Sequence, residues 1–237
     1  MDCRNCPNTK CFIQKHCLSA WLEYTQHHKT SKQISAAKTI FSEGDLVTGI
    51  HVLCSGKVKV LLKTSKEKEH IIRIAGQGQV LGHRGFSEKM VYPISAETLI
   101  ESEVAFISNE DFFKLIRANK DLSFYMMMFF ADELLRSEQK LRVHALKTSK
   151  EKVASALLMV VSTFGFKDEK TKHIDLGLSL RELANFATIS YPTLLKVLDI
   201  LLEEEIIGNI DNELCLLNET ALINISTKEN LHLSHKK

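Results

Sequence analysis

The 237-residue sequence has little proline and no long hydrophobic run. It contains only 3 Pro and 10 Gly, and 44% of its residues are hydrophobic and 25% charged. These values exclude collagen, coiled-coil fibres and disordered chains, and they fit one large or two modest folded domains. Because no stretch of about 18 apolar residues is present and the N-terminus lacks the apolar segment of a signal peptide, we expect a cytoplasmic protein that does not bind membranes.

The local motifs of common enzymes are also missing. The sequence has no phosphate-binding Gly-x4-Gly-Lys, no His-Glu-x2-His and no serine elbow, and its histidines are scattered. We therefore predict that the protein is not an enzyme. The net charge of +2 neither favours nor excludes a polyanionic partner, so a nucleic-acid hypothesis needs a motif.

Cysteine, in contrast, is concentrated at one end of the chain. Four of the six lie in the first seventeen residues: Cys3, Cys6, Cys11 and Cys17. Cytoplasmic thiols stay reduced, so this spacing indicates metal ligands or redox sensors rather than disulfides, and four thiolates suffice for an iron–sulfur cluster or a structural zinc. Free thiols on an N-terminal arm are the alternative. Cys54 and Cys215 stand in apolar contexts and are predicted to be packing residues.

Glycine marks a second region. Seven of the ten glycines lie between residues 44 and 85, among short β-rich runs at 51–54, 58–62, 70–74 and 104–107. Short strands separated by glycine-containing turns predict a sandwich or barrel, which we assign to residues 34–120. Residues 1–33 form the preceding Cys-rich arm, in which the spacing from Leu18 to Tyr24 predicts a short amphipathic helix.

After Ser108, a predicted helix N-cap, the pattern becomes helical. A long helix is predicted from about Asp121 to Lys147, within a segment of residues 121–148. Its apolar stripe consists of Leu122, Met126, Phe129, Phe130, Leu134, Leu141 and Ala145. A stripe of this length favours pairing with the same helix of a second copy in a symmetric dimer.

The last domain, residues 149–237, has the pattern of a winged helix-turn-helix. Ser179 and Glu182 form a predicted capping box, a tight turn follows, and a second helix begins after Ser190 with Pro192 in its first turn. Two short apolar runs around an Asp211-Asn212 turn then predict a hairpin, the wing.

The order of these parts resembles the Crp/Fnr family of bacterial transcription regulators. The resemblance covers roughly residues 38–217 and rests on the strings at 41–45, 52–58, 78–82, 103–108 and 180–184. It implies an α+β fold with an N-terminal double-stranded β-helix (jelly-roll) sensory barrel, a long dimerisation helix and a C-terminal winged helix-turn-helix. It also implies double-stranded DNA with a palindromic promoter site as the partner, a homodimer, and contact with RNA polymerase.

The resemblance points to two places for a signal. The effector pocket of the barrel corresponds to Gly82, His83, Arg84 and Tyr92. Members that bind cyclic AMP carry a carboxylate and an Arg-Ser pair where this sequence has His83 and Tyr92-Pro93, so cyclic AMP is not expected. The oxygen and redox sensors carry N-terminal cysteines that hold an iron–sulfur cluster and a fourth ligand in the string matching 104–106, where Ala105 cannot serve.

The resemblance also places the second helix of the pair in the major groove. The predicted DNA-binding residues are Arg181, Ser190, Tyr191, Thr193 and Lys196. No arginine lies in that helix, although arginine is the usual reader of guanine. Residues 151–237 carry 9 Lys and Arg against 13 Asp and Glu, a net charge of −4, which favours weak or ligand-dependent DNA binding.

The sequence therefore predicts a homodimeric, sequence-specific transcription regulator, controlled by an effector or by the redox or metal state of the barrel and the N-terminal cysteines. The alternative is a metal- or ligand-sensing module with degenerate DNA binding that acts through protein partners. The arginine-free helix and the acidic C-terminal part support this alternative.

Overall fold

The computed structural model describes residues 3–6, 8–64, 68–144 and 147–227, with residues 139–144 described by their backbone alone. The chain divides between Ser137 and Glu138 into two units, each with its own packed interior. In the described ranges, no helix is both long enough and apolar enough to cross a membrane.

Two four-stranded antiparallel sheets form most of the first unit. The strands are β1 (Lys29–Ile34), β2 (Thr39–Phe41), β3 (Gly49–Ser55), β4 (Val58–Lys63), β5 (Glu69–Ala75), β6 (Val80–Leu81), β7 (Ser95–Thr98) and β8 (Ser102–Ser108). One sheet has the order β1-β8-β3-β6 and the other β2-β7-β4-β5. The four predicted β-rich runs are confirmed as β3, β4, β5 and β8. The sheet begins earlier than the predicted boundary at residue 34, because Lys29 to Ile34 pair with β8.

Each face of the first sheet packs against a different set of residues. Between the two sheets, Leu53 and Val104 join an apolar cluster with residues of the second sheet such as Val60. On the opposite face, Val52 and Ala105 pack against four helices. These helices are α1 (Phe12–His16), α2 (Ser19–His28), α3 (Asn109–Ala118) and α4 (Lys120–His144). The N-terminal residues thus lie on the outer face of the sandwich.

A local signal in the sequence accounts for the start of α3. Ser108 caps α3 by accepting a hydrogen bond from the Asp111 amide, as predicted. The predicted helix at 18–24 is confirmed as α2, whereas α1 was not predicted. The long helix is confirmed as α4 through His144. Its predicted continuation through residues 145 and 146 lies outside the described residues, as does the side chain of Leu141.

Beyond the end of α4, the described residues of the second unit form four helices and one sheet. Its elements are α5 (Ser149–Phe164), β9 (Phe166–Asp168), β10 (His173–Ile174), α6 (Leu180–Phe186), α7 (Tyr191–Glu203), β11 (Ile207–Ile210), β12 (Glu213–Leu216) and α8 (Glu219–Thr227). The sheet has the order β11-β12-β10-β9. Asp211 and Asn212 both have positive φ, at 53° and 64°, which suits the tight β11–β12 hairpin that was predicted. β9, β10 and α8 were not predicted.

Candidate functional site

Hydrogen bonds at both N-termini define the boundaries of α6 and α7. Ser179 and Glu182 form the predicted capping box, in which each residue's amide donates to the other's side chain. The Ser190 Oγ accepts from the Thr193 amide at 3.2 Å and lies 2.7 Å from the Thr193 Oγ1. The four residues 187–190 therefore separate two helices whose starts are encoded locally. The Ser190 and Thr193 hydroxyls, predicted to contact DNA, also hold the beginning of α7.

The remaining predicted DNA-binding residues lie on or beside α7. The Arg181 guanidinium carbon is 4.6 Å from the centroid of the Tyr191 ring, a cation–π contact that joins α6 to α7. Lys196 is exposed, and within the described residues its ammonium group has no hydrogen-bond or ion-pair partner. The neighbouring Leu195 is 37% exposed. The surface thus combines two cations with aromatic and apolar groups.

The acidic residues of the second unit are concentrated at the other end of α7. Glu203, Glu204 and Glu205 are exposed at its C-terminus. The Glu204 carboxylate accepts hydrogen bonds from the Lys150 ammonium at 2.5 and 2.6 Å. One negative charge of the triplet is therefore locally compensated, and the triplet lies more than three helical turns from Tyr191.

The interior of the barrel is filled by aromatic side chains around Tyr92. Tyr92 is 3% exposed, its hydroxyl donates to the Gly49 carbonyl at 3.1 Å, and its ring stacks on Phe41 with centroids 4.2 Å apart. A Cβ on Gly82 would lie 3.0 Å from the Tyr92 ring, and Gly82 has a φ of 81°. The ring therefore packs directly on the turn that was predicted to form an effector pocket.

His51 extends this aromatic cluster. Its ring lies between those of Phe41 and Phe106, with centroids 5.5 and 5.1 Å away, and it lines a cavity of about 250 Å³. Burial lowers the pKa of His51 to about 4. His51 is consequently a neutral group inside the barrel at neutral pH, and the resemblance did not identify it.

We expect His51 to make stability depend on pH. The native pKa of about 4 lies below the unfolded value of 6.5, so the unfolded chain binds more protons between these values and stability falls as the pH drops from 6.5 towards 4. This contribution amounts to at most about 3 kcal/mol. Urea unfolding at several pH values should show a smaller pH dependence for His51→Gln. The control is His27→Gln, at an exposed position of α2, which should not change how stability depends on pH. If stability changed equally with pH in His51→Gln and in the unaltered chain, His51 would not be the group responsible.

A second feature joins the barrel to α4. The turn after β6 carries His83 and Arg84, and both reach Glu133 of α4. The Arg84 guanidinium donates to the Glu133 Oε2 at 3.0 Å, and the His83 Nε2 is 3.5 Å from the same oxygen. These residues line a second cleft of about 250 Å³ with Phe130. Of the four predicted pocket residues, only His83 and Arg84 line this cleft.

Charge and burial compete at Glu133. Its side chain is 9% exposed. Burial works to raise the pKa of Glu133, but contact with His83 and the positive charges of Arg73 and Arg84 hold it well below the usual value. Burial also lowers the pKa of His83, so a neutral imidazole faces a carboxylate. Glu133 was not identified from the sequence. The only signal for it was the presence of an acidic residue within the apolar stripe of the long helix.

We expect Glu133→Gln to lower the free energy of unfolding by about 2 kcal/mol near neutral pH, because the buried carboxylate that pairs with the half-buried Arg84 loses its charge. The loss should shrink as the pH falls below about 4.5, since a carboxylate with a depressed pKa contributes stability only above its unfolded pKa. Arg136→Ala removes a contact of 3.6 Å from a side chain that is 66% exposed. It should change stability by less than about 0.5 kcal/mol in the same denaturation experiment. Equal losses in the two variants would refute the buried ion pair.

The four N-terminal cysteines lie in a segment on the outer face of the first sheet. Cys3 and Cys11 pack against the apolar cluster that contains Val52 and Ala105, and Cys17 belongs to that cluster. The Lys29 ammonium donates to the Cys3 Sγ at 3.2 Å. Their thiols suit zinc or iron chemically, but no three His, Cys, Asp or Glu side chains of the described residues form a metal-binding arrangement.

Comparison with known proteins identifies relatives of both units. Residues 31–119 match the cyclic nucleotide-binding domain family. The chain is similar to the transcriptional activator protein FnrA of Stutzerimonas stutzeri, with 22% identity over 169 residues, 71% of this chain and 69% of that protein. It is also similar to the cyclic AMP receptor protein of Thermus thermophilus, with 25% identity over 189 residues, 78% of this chain and 84% of that protein. The fold matches the structure of FixK2 from Bradyrhizobium japonicum with a TM-score of 0.74 and 19% identity, covering 84% of this chain and 98% of that one.

Proposed function

We propose that this homologue of Crp/Fnr-type transcriptional regulators, with a cyclic nucleotide-binding domain at residues 31–119, is a homodimeric, sequence-specific DNA-binding regulator. The observation that carries the proposal is the capped α6–α7 pair followed by the β11–β12 hairpin, which come after the two-sheet domain in the sequence. This order is that of a winged helix-turn-helix, in which the second helix enters the major groove. In this arrangement α7 is the helix that contacts the bases, which we call the reading helix.

The surface of α7 supports a mode of DNA binding that depends more on phosphates than on base edges. Lys196 and Arg181 supply the cations, and Tyr191 holds Arg181 by its ring. Because α7 lacks arginine, bidentate recognition of guanine by this helix is not expected. The exposed Leu195 offers an apolar contact of the kind that recognises the methyl group of thymine. We expect a preference for A·T-containing half-sites and a strong dependence on salt.

A dimer would cover the exposed apolar face of α4. Seven large apolar side chains of this helix are at least 39% exposed: Phe124, Tyr125, Met127, Met128, Phe130, Leu134 and Leu135. Leu122 and Met126 were predicted to belong to the pairing stripe; that part of the prediction is wrong, because both side chains are buried within the first unit. Exposed apolar surface of this extent on one helix is typical of a protein interface, and pairing with a second copy places two reading helices on a palindromic site.

We do not expect the effector to be a cyclic nucleotide. The Tyr92 ring fills the interior beside Gly82, and Arg84 is held by Glu133 instead of being free for a phosphate. His83 replaces the carboxylate that would accept from a ribose hydroxyl. We therefore propose that the signal acts at the thiols of the N-terminal segment, through their redox state or through a metal that they bind. The contact between Arg84 and Glu133 joins the barrel to α4, so a change in the barrel would be transmitted to the dimer interface through α4.

Selection of the duplexes that the protein binds from a pool of random DNA tests whether it binds DNA sequence-specifically. The full chain, prepared in reduced, oxidised, iron-loaded and zinc-loaded forms, should enrich a palindromic motif in at least one form. Absence of any preferred sequence in all four forms would instead favour the sensing module that acts through protein partners. The acidic net charge of residues 151–237 is the observation that favours this second candidate. Loss of promoter control in Lys196 variants would support the transcription regulator and not the module that acts through protein partners.

A further inference from the structure

The first sheet carries polar side chains on the face that points into the sandwich, towards the edge formed by β1. His51 of β3 is paired with Phe106 of β8, and Phe106 is paired with Thr30 of β1, so the three side chains stand side by side across three strands. The next row on this face contains Lys32, which is paired with the buried Val104. Interior faces of sandwiches usually carry apolar side chains, so a lysine, a threonine and a histidine on one such face depart from the common pattern.

These side chains line the cavity of about 250 Å³ beside His51, which is separate from the predicted effector pocket. Ile34 of β1 and Ile40 of β2 complete its apolar wall. Within the described ranges, neither the turn after β6 nor Tyr92 lines the cavity. The His51 ring stands between the two places, because a Cβ on Gly82 would lie 3.5 Å from it. The cavity opens at the edge of the sandwich where β1 and β2 are the outermost strands.

The mouth of this cavity is positively charged. Lys32 is exposed there, and in the described part of the chain its ammonium group has no hydrogen-bond or ion-pair partner. No Asp or Glu of the described residues lines the cavity. Glu103, paired with Gln33, belongs to the other face of the sheet because side chains alternate along a strand. An unpaired ammonium beside the Thr30 hydroxyl is a suitable pair of donors for a carboxylate.

The inner end of the cavity offers a different kind of polar group. His51 lies two strand spacings, about 10 Å, from the edge strand that carries Thr30. Its imidazole is neutral, so one ring nitrogen donates a hydrogen bond and the other accepts one. Neither nitrogen has a hydrogen-bond partner among the described residues. A hydroxyl group that reaches this end of the cavity would supply one.

The size and the walls of the cavity limit what it can hold. A cavity of about 150 Å³ accommodates benzene, whereas drug-sized ligands occupy about 300–1,000 Å³. The present volume therefore fits one ring with two small substituents and is too small for a nucleotide. The Phe106 and His51 rings form flat walls, against which an aromatic ring packs better than a flexible chain.

We propose that this cavity is a binding site for a monocyclic aromatic carboxylate that carries a hydroxyl group on the opposite side of the ring. The carboxylate lies at Lys32 and Thr30, the ring packs against Phe106 and Ile40, and the hydroxyl group contacts His51. The site goes beyond the proposed function and does not depend on it, because neither DNA nor the N-terminal thiols take part in binding.

Titration calorimetry on the full chain without DNA tests the site, with para-hydroxybenzoate as the probe. We expect a dissociation constant below about 1 mM. The neutral para-hydroxybenzamide should bind at least about 10-fold more weakly, because it loses the charge-assisted hydrogen bond. Lys32→Met should abolish this difference between acid and amide. The control Lys89→Met, exposed in the same unit and outside the cavity lining, should retain it.

Two further comparisons test the ring and the hydroxyl group. Hexanoate, an aliphatic acid, should bind at least about 3-fold more weakly than benzoate, and equal binding would overturn the aromatic assignment. His51→Phe keeps an aromatic wall but removes the polar nitrogens. It should therefore abolish the preference of the unaltered chain for para-hydroxybenzoate over benzoate. A preference that survives in His51→Phe would overturn the contact with His51.

Nuclear magnetic resonance places the ligand, and circular dichroism checks the fold. On saturation with para-hydroxybenzoate the imidazole nitrogen resonances of His51 should shift, and those of the exposed His27 should not. Lys32→Met should melt like the unaltered chain, because position 32 is exposed. A folded chain that binds none of the probes would refute the site, and Lys32 would then only protect the edge of the sheet from pairing. That result would leave the proposed DNA binding intact, because no DNA is present in the titration.

Discussion

Replacing Lys196 by glutamate is expected to weaken sequence-specific DNA binding at least about 100-fold, the largest effect that a single exposed residue should produce. Lys196 is an exposed cation on α7, and in a dimer the change reverses the charge at both half-sites. Tyr191→Ala should have a smaller effect, about 10-fold, because it removes the ring that positions Arg181. Fluorescence anisotropy with the selected duplex at several salt concentrations measures both affinity and salt dependence.

A charge-matched control distinguishes local contact from bulk electrostatics. Lys38→Glu introduces the same change of charge at an exposed position of the first unit. It should alter affinity less than about 3-fold, because surface charges beyond a Debye length are largely screened. The Lys196 variant should also show a shallower salt dependence, since fewer counterions are released. Equal losses for the two glutamate variants would show that α7 is not the reading helix.

Introducing aspartate at both Met127 and Leu134 is expected to dissociate the dimer, raising its dissociation constant at least about 1,000-fold. The two residues are seven positions apart on α4 and are 58% and 63% exposed, so they share one face of the helix. Burying four carboxylates in a symmetric interface requires their desolvation without a partner. Analytical ultracentrifugation across a range of concentrations gives the dissociation constant directly.

Two controls keep this result interpretable. Leu46→Asp places the same charge on another apolar residue, 71% exposed in the first unit, and should leave the dimer intact. The double variant should retain the helical content of the unaltered chain by circular dichroism, because neither side chain is buried in the protomer. It should also lose high-affinity binding to the palindrome, since a monomer contacts one half-site. A dimer that persists in the double variant would place the interface elsewhere.

Elements with local signals were predictable in this chain. The capping residues Ser108, Ser179 and Ser190 each accept a backbone hydrogen bond at the predicted helix start. The Asp211-Asn212 turn was predictable because these residue types adopt positive φ at little cost. Four strands were evident from β-rich runs between glycines. In all these cases the residues that determine the structure lie within a few positions of one another.

Elements without such signals were missed. β9 and β10 are three and two residues long within a polar stretch, too short to show an alternating pattern. β1 has mainly exposed residues, and its pairing with β8 rather than its own hydrophobicity makes it a strand. The Arg181–Tyr191 contact and the aromatic filling around Tyr92 require two elements to be placed side by side. No periodicity within one segment reports such a placement.

The sequence by itself determined the order of the elements, the helix starts, the hairpin turn and the presence of four thiols in one short segment. Only the tertiary structure decided which distant groups meet: Arg84 contacts Glu133 across 49 positions, and Cys17 contacts Asn119 across 102. The same holds for Cys54, which looked like an isolated packing residue and lies beside the N-terminal segment. Local backbone preferences act over a few residues, whereas these contacts arise from the packing of sheets and helices around shared apolar clusters.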